Sequence, residues 1–356
     1  MIIGIPKEIK EEEYRVGILP KTIRQLVKKG HKVLIEKNAG IGAGIKDEDY
    51  EKEGAEIVDE HFYILKNSEL IVKVKEPLSS EYELLQEGQI LFTFFHFSSN
   101  REMTENLIKR KITCIAYELV EENGILVILR PMSEIAGKLS IQQGMKYLEK
   151  EYGGKGILLS GAEGVNPGKV LILGGGTVGY NAAKIAYSIG ADVTIIEKNE
   201  EKIKFLKKEF PRAKIFISEE NIIKEEIKCA DVIIGAVLIP GRRTPILIKK
   251  EDLKNMEEGT VLVDVSIDEG GVSETSHPTT HKQPIFIYDR IIHYCVPNIP
   301  GIVPKTSTYA LCNITEKYIL LLAEYGLKAT EISYGLRSGL AIKNGEIVSP
   351  KLNFFI

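Results

Sequence analysis

The chain has 356 residues, 47 Lys and Arg against 50 Asp and Glu (net charge −3), and 44% hydrophobic residues, the composition of a soluble globular protein long enough for two domains with separate cores. No apolar run approaches the roughly 18–20 residues that cross a bilayer, and the opening MIIGIPKEIK lacks the cationic start and small-residue cleavage site of a signal peptide, so a cytoplasmic location without a membrane partner is expected. Short, mixed charge runs give no sustained basic face for nucleic acid, and Cys114, Cys229, Cys295 and Cys312 are too scattered for a zinc cage or a disulfide framework, so reduced, buried thiols and no metal are expected.

From the start to about residue 130, short apolar runs alternate with amphipathic segments: MIIGIP, the helix-like TIRQLVKKG, HKVLIEK, SELIVKVKEP, QILFTFFHF and ITCIAYELV. This alternation predicts βαβ units around a parallel sheet. Lys28, Lys29 and Gly30 end the first helix as C-terminal charge and glycine should. A longer amphipathic helix is predicted from Met132 to about Tyr152, opening on Ser133 and Glu134 as a cap and connecting the two halves.

Beyond a glycine-rich stretch, a second alternation runs through KVLILGGG, NAAKIAYSIG, ADVTIIEK, ADVIIGAVLIPG, GTVLVDVS and IHYCVPN. Its strands are continuous apolar runs, as strands covered on both faces must be, which predicts a second doubly wound sheet from about 169 to 300. After Pro304, Thr306 and Ser307 are expected to cap a long helix to about Tyr325, and Asn344-Gly345 between apolar runs predicts a hairpin. A tail of about 50 residues is short for a domain, so it is expected to pack back on the first one. The predicted fold is therefore α/β with two doubly wound, Rossmann-like domains and a cleft between them: a discontinuous one of residues 1–130 and 301–356, and a second of residues 131–300.

The strongest local signal is Gly174, Gly176 and Gly179, a G-x-G-x-x-G placed directly after an apolar strand and at the start of a helix, with Glu197 ending the next strand. Gly174 permits the tight turn, Gly176 lets the backbone approach a pyrophosphate, and Gly179 lets helix pack on strand. A carboxylate at 197 accepts hydrogen bonds from a ribose 2′-hydroxyl and repels a 2′-phosphate, which favours NAD over NADP; Lys198 is placed to offset that repulsion.

Three basic residues of the first domain sit where strands end. Arg15 follows a run of acids and reads equally as a surface ion pair. Lys75, alternating with Val beside Lys73, is a poor resident of a covered strand unless it faces a cleft or the strand is an edge. His96, at the carboxyl end of ILFTFF, is where open α/β sheets bind ligands, or else a satisfied core histidine. In the second domain Asp264 and Asp268 both follow an apolar strand, and Gly270-Gly271 favours a loop that presents Asp268.

At these residues the sequence resembles the alanine dehydrogenase and nicotinamide nucleotide transhydrogenase family over nearly its whole length, in the strings IPKEIKEEEYRVGILP, IVKVKEPLSSEYELLQEGQILFTFFHF, RPMSEIAGKLSIQQG, KVLILGGGTVGYNAAKIA, VDVSIDEGG and HYCVPNIPGIVPKTSTYAL. The FFHF and PMSEIAG strings favour the dehydrogenase branch, whereas FSSN after His96 and Pro297-Asn298-Ile299-Pro300 depart from the commoner Leu-Ala and Ala-Asn-Met-Pro. The resemblance implies reversible NAD-dependent deamination of L-alanine to pyruvate and ammonium. In that reading Arg15 and Lys75 bind the substrate carboxylate, His96 is the acid/base and Asp268 the second catalytic residue. Ser133, Thr177, Val178, Val237, Leu238, Asp268 and Asn298 join the three glycines and Glu197 around NAD. The family also implies a homohexamer. Two other readings are a transhydrogenase-like NAD-binding subunit without amination chemistry and a related dehydrogenase for a larger amino acid.

Overall fold

The computed structural model describes residues 1–238 and 243–355. In chain order the strands are β1 (Ile2–Ile5), β2 (Lys32–Glu36), β3 (Glu56–Val58), β4 (Leu70–Val72), β5 (Ile90–Thr93), β6 (Thr113–Ala116), the short pair β7 (Glu121–Glu122) and β8 (Ile125–Leu126), then β9 (Lys169–Leu173), β10 (Asp192–Glu197), β11 (Lys214–Ile217), β12 (Val232–Gly235), β13 (Val261–Asp264), β14 (Ile285–Tyr288), β15 (Ile291–Tyr294), β16 (Leu340–Lys343) and β17 (Glu346–Ile347). The chain divides into two compact units, residues 1–132 with 301–356, and residues 133–300.

The first unit holds an eight-stranded sheet in the order β17-β16-β6-β5-β4-β1-β2-β3, parallel from β6 through β3. The tail closes one edge: β16 pairs antiparallel with β6 and turns through Asn344 (φ 49°) and Gly345 (φ 83°) into β17. Both turn residues are left-handed, which is what an Asn-Gly hairpin turn requires. Strand order reverses between β1 and β4, and ligands of open α/β sheets bind outside the carboxyl ends of strands at such a point. The second unit holds a seven-stranded sheet, β11-β10-β9-β12-β13-β15-β14, with its reversal between β9 and β12. The α/β class and the Rossmann-like sheets agree with the sequence reading, and the central strands are buried along their length.

Several local expectations fail for identifiable reasons. The helix expected from Met132 runs Leu129–Tyr147, so Ser133 lies inside it and not at its cap. Pro131 is tolerated because the first turn of a helix has N–H groups without intrahelical acceptors anyway. Likewise the long C-terminal helix is Pro304–Tyr325 with Val303 as its cap residue, which places Thr306 and Ser307 within the first turn; the Ser307 N–H donates to the Val303 carbonyl at 3.0 Å. Strand β4 ends at Val72, and it lies between β1 and β5, so neither Lys73 nor Lys75 sits on an edge strand. Strand β14 pairs antiparallel with β15 outside the parallel pattern. Cys114, Cys295 and Cys312 are buried, Cys229 is half-buried, and all four are free thiols. Among the described residues no helix is long and apolar enough to cross a membrane.

Candidate active site

In the first unit the strand ends on either side of the order reversal deliver charged side chains into one neighbourhood. The segment after β1 brings Glu8, Glu13 and Arg15; β4 is followed by Lys73 and Lys75, β5 by His96, and β6 by Glu118. Arg15 is 2% exposed, and the acidic run does supply its partner, but in a buried pair and not a surface one: Nε and Nη2 donate to the two carboxylate oxygens of Glu13 at 2.7 and 2.6 Å. Nη1 reaches the Met132 sulfur at 3.2 Å. A guanidinium held along one edge by a carboxylate is fixed in orientation and keeps its charge.

Lys75 Nζ lies 3.4 Å from His96 Nε2, so the two candidates that were separate in sequence are neighbours in space. The imidazole stacks on Phe94 with ring centroids 5.9 Å apart. Burial, followed by the positive charges of Lys75, Lys10 and Arg15, holds His96 well below the usual histidine range, which leaves it neutral at pH 7. Facing an ammonium, Nε2 is the nitrogen assigned the lone pair, with the proton on Nδ1. The result is a neutral base beside two cations, a combination that binds a carboxylate and accepts a proton.

Behind this group lies Lys73, 2% exposed, with Nζ 2.8 Å from Glu81 Oε1 and 3.4 Å from Glu8 Oε2. Burial alone would lower its pKa; the two carboxylates outweigh that and hold it above the usual lysine value. Glu8 also accepts the Val74 N–H at 2.6 Å and so fixes the backbone just before Lys75. Glu81 continues through His61, 3.1 Å away, to Glu36 at 2.6 Å from the other ring nitrogen.

In the second unit the glycine turn follows β9. Gly174 has φ 101°, and a β-carbon there would meet the Ala236 carbonyl oxygen at 2.6 Å; one on Gly179 would meet the Gly174 carbonyl oxygen at 1.8 Å. Both are therefore required by the fold itself. Gly176 is different: its φ is −70°, and a β-carbon would meet nothing within 4 Å. Open space at that position, next to the N-terminus of helix Thr177–Ser188 where no side chain caps the first turn, fits a pyrophosphate. Glu197 is buried; Oε2 accepts the Gly175 N–H at 2.7 Å and Oε1 accepts those of Lys198 and Asn199 at 2.8 Å each. A carboxylate has about four lone-pair sites, so three such bonds leave room for a ribose hydroxyl.

Position alone did not separate Asp264 from Asp268, and the structure does. Asp264 is buried and accepts from Ser266 N at 3.1 Å, Val272 N at 2.8 Å and Ser276 Oγ at 2.6 Å, so it is the clamp of the following loop. Asp268 is exposed on the 3₁₀ turn Ile267–Glu269, which ends at Gly270 in the left-handed region. Val237, whose N–H donates to Ser266 Oγ at 3.0 Å, and Leu238 follow β12, and Asn298 follows β15 with φ 59°. Ser133 is half-buried within its helix. Sequence reasoning missed Glu8, Glu13 and Glu118; for Glu13 the signal was the acid run itself, two residues before Arg15.

Known proteins are similar to this chain over nearly its full length. The family model for the alanine dehydrogenase/PNT N-terminal domain matches residues 4–136, and that for the C-terminal domain matches residues 140–350. An alanine dehydrogenase of Bacillus subtilis (strain 168) is 47% identical over 350 residues, covering 98% of this chain and 92% of that protein. One of Methanococcus maripaludis is 48% identical over 351 residues, covering 98% and 94%. A solved L-alanine dehydrogenase superposes with a TM-score of 0.95 at 48% identity, covering 100% of this chain and 99% of that one. A transhydrogenase from Sinorhizobium meliloti, at 22% identity, TM-score 0.82 and coverage of 98% and 99%, shares the fold alone. With both domain models matched and relatives nearly half identical along almost the full length, the chain belongs to the alanine dehydrogenase/PNT family.

Proposed function

We propose that the protein catalyses the reversible oxidative deamination of L-alanine to pyruvate and ammonium with NAD as cofactor. The observation that carries this reading is the pairing of Lys75 with a neutral His96 at 3.4 Å, in a chain whose near-full-length relatives are alanine dehydrogenases. Arg15 and Lys75 hold the substrate carboxylate. Glu13, bonded to Nε and Nη2, fixes the orientation in which the Arg15 guanidinium meets the substrate. His96 accepts a proton at Nε2, which deamination requires because a protonated amine gives up no hydride. Asp268 serves as the second catalytic group, a carboxylate for the cationic iminium or for the water that hydrolyses it.

Gly174, Gly176, Thr177, Val178, Gly179, Glu197, Val237, Leu238, Asn298, Ser133 and Asp268 are the proposed cofactor contacts, and the unit of residues 133–300 is the proposed nucleotide-holding half. When bound, NAD supplies the nicotinamide that exchanges hydride with the substrate α-carbon. Hexameric assembly belongs to the same proposal and is read by light scattering.

The deciding assay follows NADH absorbance with a panel of 2-oxo acids, with and without ammonium. NADH is expected to fall only when pyruvate and ammonium are both present. Turnover confined to larger 2-oxo acids selects the larger-substrate reading, and NADH binding without any turnover selects the transhydrogenase-like one. For the cofactor half, Gly176→Ala is expected to leave the thermal melt unchanged, because its β-carbon enters open space, while lowering NADH affinity about tenfold, or about 1.4 kcal/mol. Parent-like affinity in a fluorescence titration removes Gly176 from the nucleotide site.

A further inference from the structure

We infer that Glu118 is a positioning residue for the reaction proposed above, holding His96 in the backbone conformation that aims its imidazole at Lys75. The inference rests on that reading of the reaction, and its observations are backbone ones. His96 has φ 51° and ψ 49°, in the left-handed region where the β-carbon of any residue but glycine crowds the carbonyl. Such a conformation persists only where its surroundings enforce it. The sheet does not enforce it, because the pairing of β5 with β6 ends at Thr93 and Ala116. Past that point the amides of Phe95 and His96 have left the β-ladder.

Glu118, on the 3₁₀ turn Tyr117–Leu119 just beyond β6, takes both amides. The His96 N–H donates to Oε1 at 2.8 Å, and the Phe95 N–H donates to Oε1 and Oε2 at 3.2 and 3.3 Å. Hydrogen bonds to a carboxylate are among the stronger ones, and two on successive amides fix the turn between them. Without them the chain relaxes toward negative φ, a rotation on the order of 100° that carries the ring away from Lys75.

His96 feels Lys75, Lys10 and Arg15, while Glu118 feels Lys75 and lies near the Cys114 thiol. Burial pushes the Glu118 carboxyl up to about 7 against the pull of its own amide, of the His96 and Phe95 amides and of Lys75, so the clamp is a titratable group near neutral pH.

Hydrogen exchange of peptides covering residues 94–98, read beside steady-state kinetics, tests the clamp. In Glu118→Ala the Phe95 and His96 amides are expected to lose protection, and kcat is expected to fall about a hundredfold, the scale of a 1 Å misplacement, while KM for pyruvate stays near the parent's. Glu118→Gln keeps an acceptor oxygen and is expected to retain the protection and most of kcat. If Glu118→Ala does not fold, Glu118→Asp carries the test, because its carboxylate is one methylene short and is expected to lower both readouts. Parent-like exchange and kcat in the Ala or Asp variant overturn the inference, as does a Gln variant that falls as far as Ala. A parent protein without ammonium-dependent turnover overturns the reaction instead, and the exchange arm still judges the clamp.

Discussion

Replacing His96 with alanine is expected to lower turnover about a hundredfold or more while NADH binding persists, because it removes the proposed proton acceptor without touching the glycine turn after β9. The pH profile separates this role from a structural one. Burial and the cations Lys75, Lys10 and Arg15 all favour the neutral ring, so the folded pKa lies well below 6.5. A base works in its deprotonated form. The acid limb of the deamination profile that belongs to His96 must then fall below about pH 6.5, and it must vanish in His96→Ala. The residue is half-buried, with its ring stacked on Phe94, so the variant also loses some packing; a thermal melt beside the kinetics accounts for that. Parent-like turnover, or an acid limb that survives the substitution, sinks the assignment.

What was legible in the sequence follows from the range of the interaction involved. The glycine turn, the helix after it and Glu197 form one local unit, and each residue type there answers a backbone requirement that sequence states directly: Gly179 must lack a β-carbon because the Gly174 carbonyl occupies its place. The strands were legible because central strands of a doubly wound sheet are buried on both faces and read as unbroken apolar runs. Arg15, Lys75 and His96 could be singled out one at a time, as polar residues at strand ends. Their partners could not, because Glu118 meets His96 across the gap between two strands, and Glu8 meets Val74 across a separation of 66 residues. Asp264 and Asp268 are equivalent in sequence pattern; only the loop that folds back through Val272 and Ser276 shows that the first is a clamp. The helix starts differ from expectation for a local reason: Pro131 and Pro304 stand within the first turn, where proline is compatible with the opening of a helix.

Lys73 illustrates the same limit and carries the largest expected effect on stability. In sequence it looks like a companion of Lys75, but in the structure its ammonium is enclosed between Glu81 and Glu8, and all three side chains are at most 3% exposed. Removing the cation leaves Glu8 without its counter-charge and Glu81 with His61 as its remaining cationic partner. Breaking a buried ion pair from one side costs about 3–5 kcal/mol, because the remaining charge keeps its desolvation cost and loses its compensation. Lys73→Met is therefore expected to destabilise by about that amount in urea unfolding at fixed protein concentration. The pH dependence gives the sign. Burial alone would raise the Glu81 pKa, but Lys73, His61 and the Leu78 N–H bring it down to about 2 in the folded state, below its unfolded value near 4.5. A depressed folded pKa contributes stability that is complete above the unfolded pKa and is lost as pH falls through the folded one. The gap between parent and Lys73→Met should then be widest at and above neutral pH and narrow on acidification, because the buried carboxylates that have lost Lys73 protonate at a higher pH than they do in the parent, and it should close toward pH 2, where Glu81 is neutralised in both proteins. Adding Glu81→Gln to Lys73→Met removes one of the two buried carboxylates and is expected to recover part of the loss. A single variant as stable as the parent at pH 7, or a gap that widens on acidification, would contradict the enclosed-charge account of this strand end.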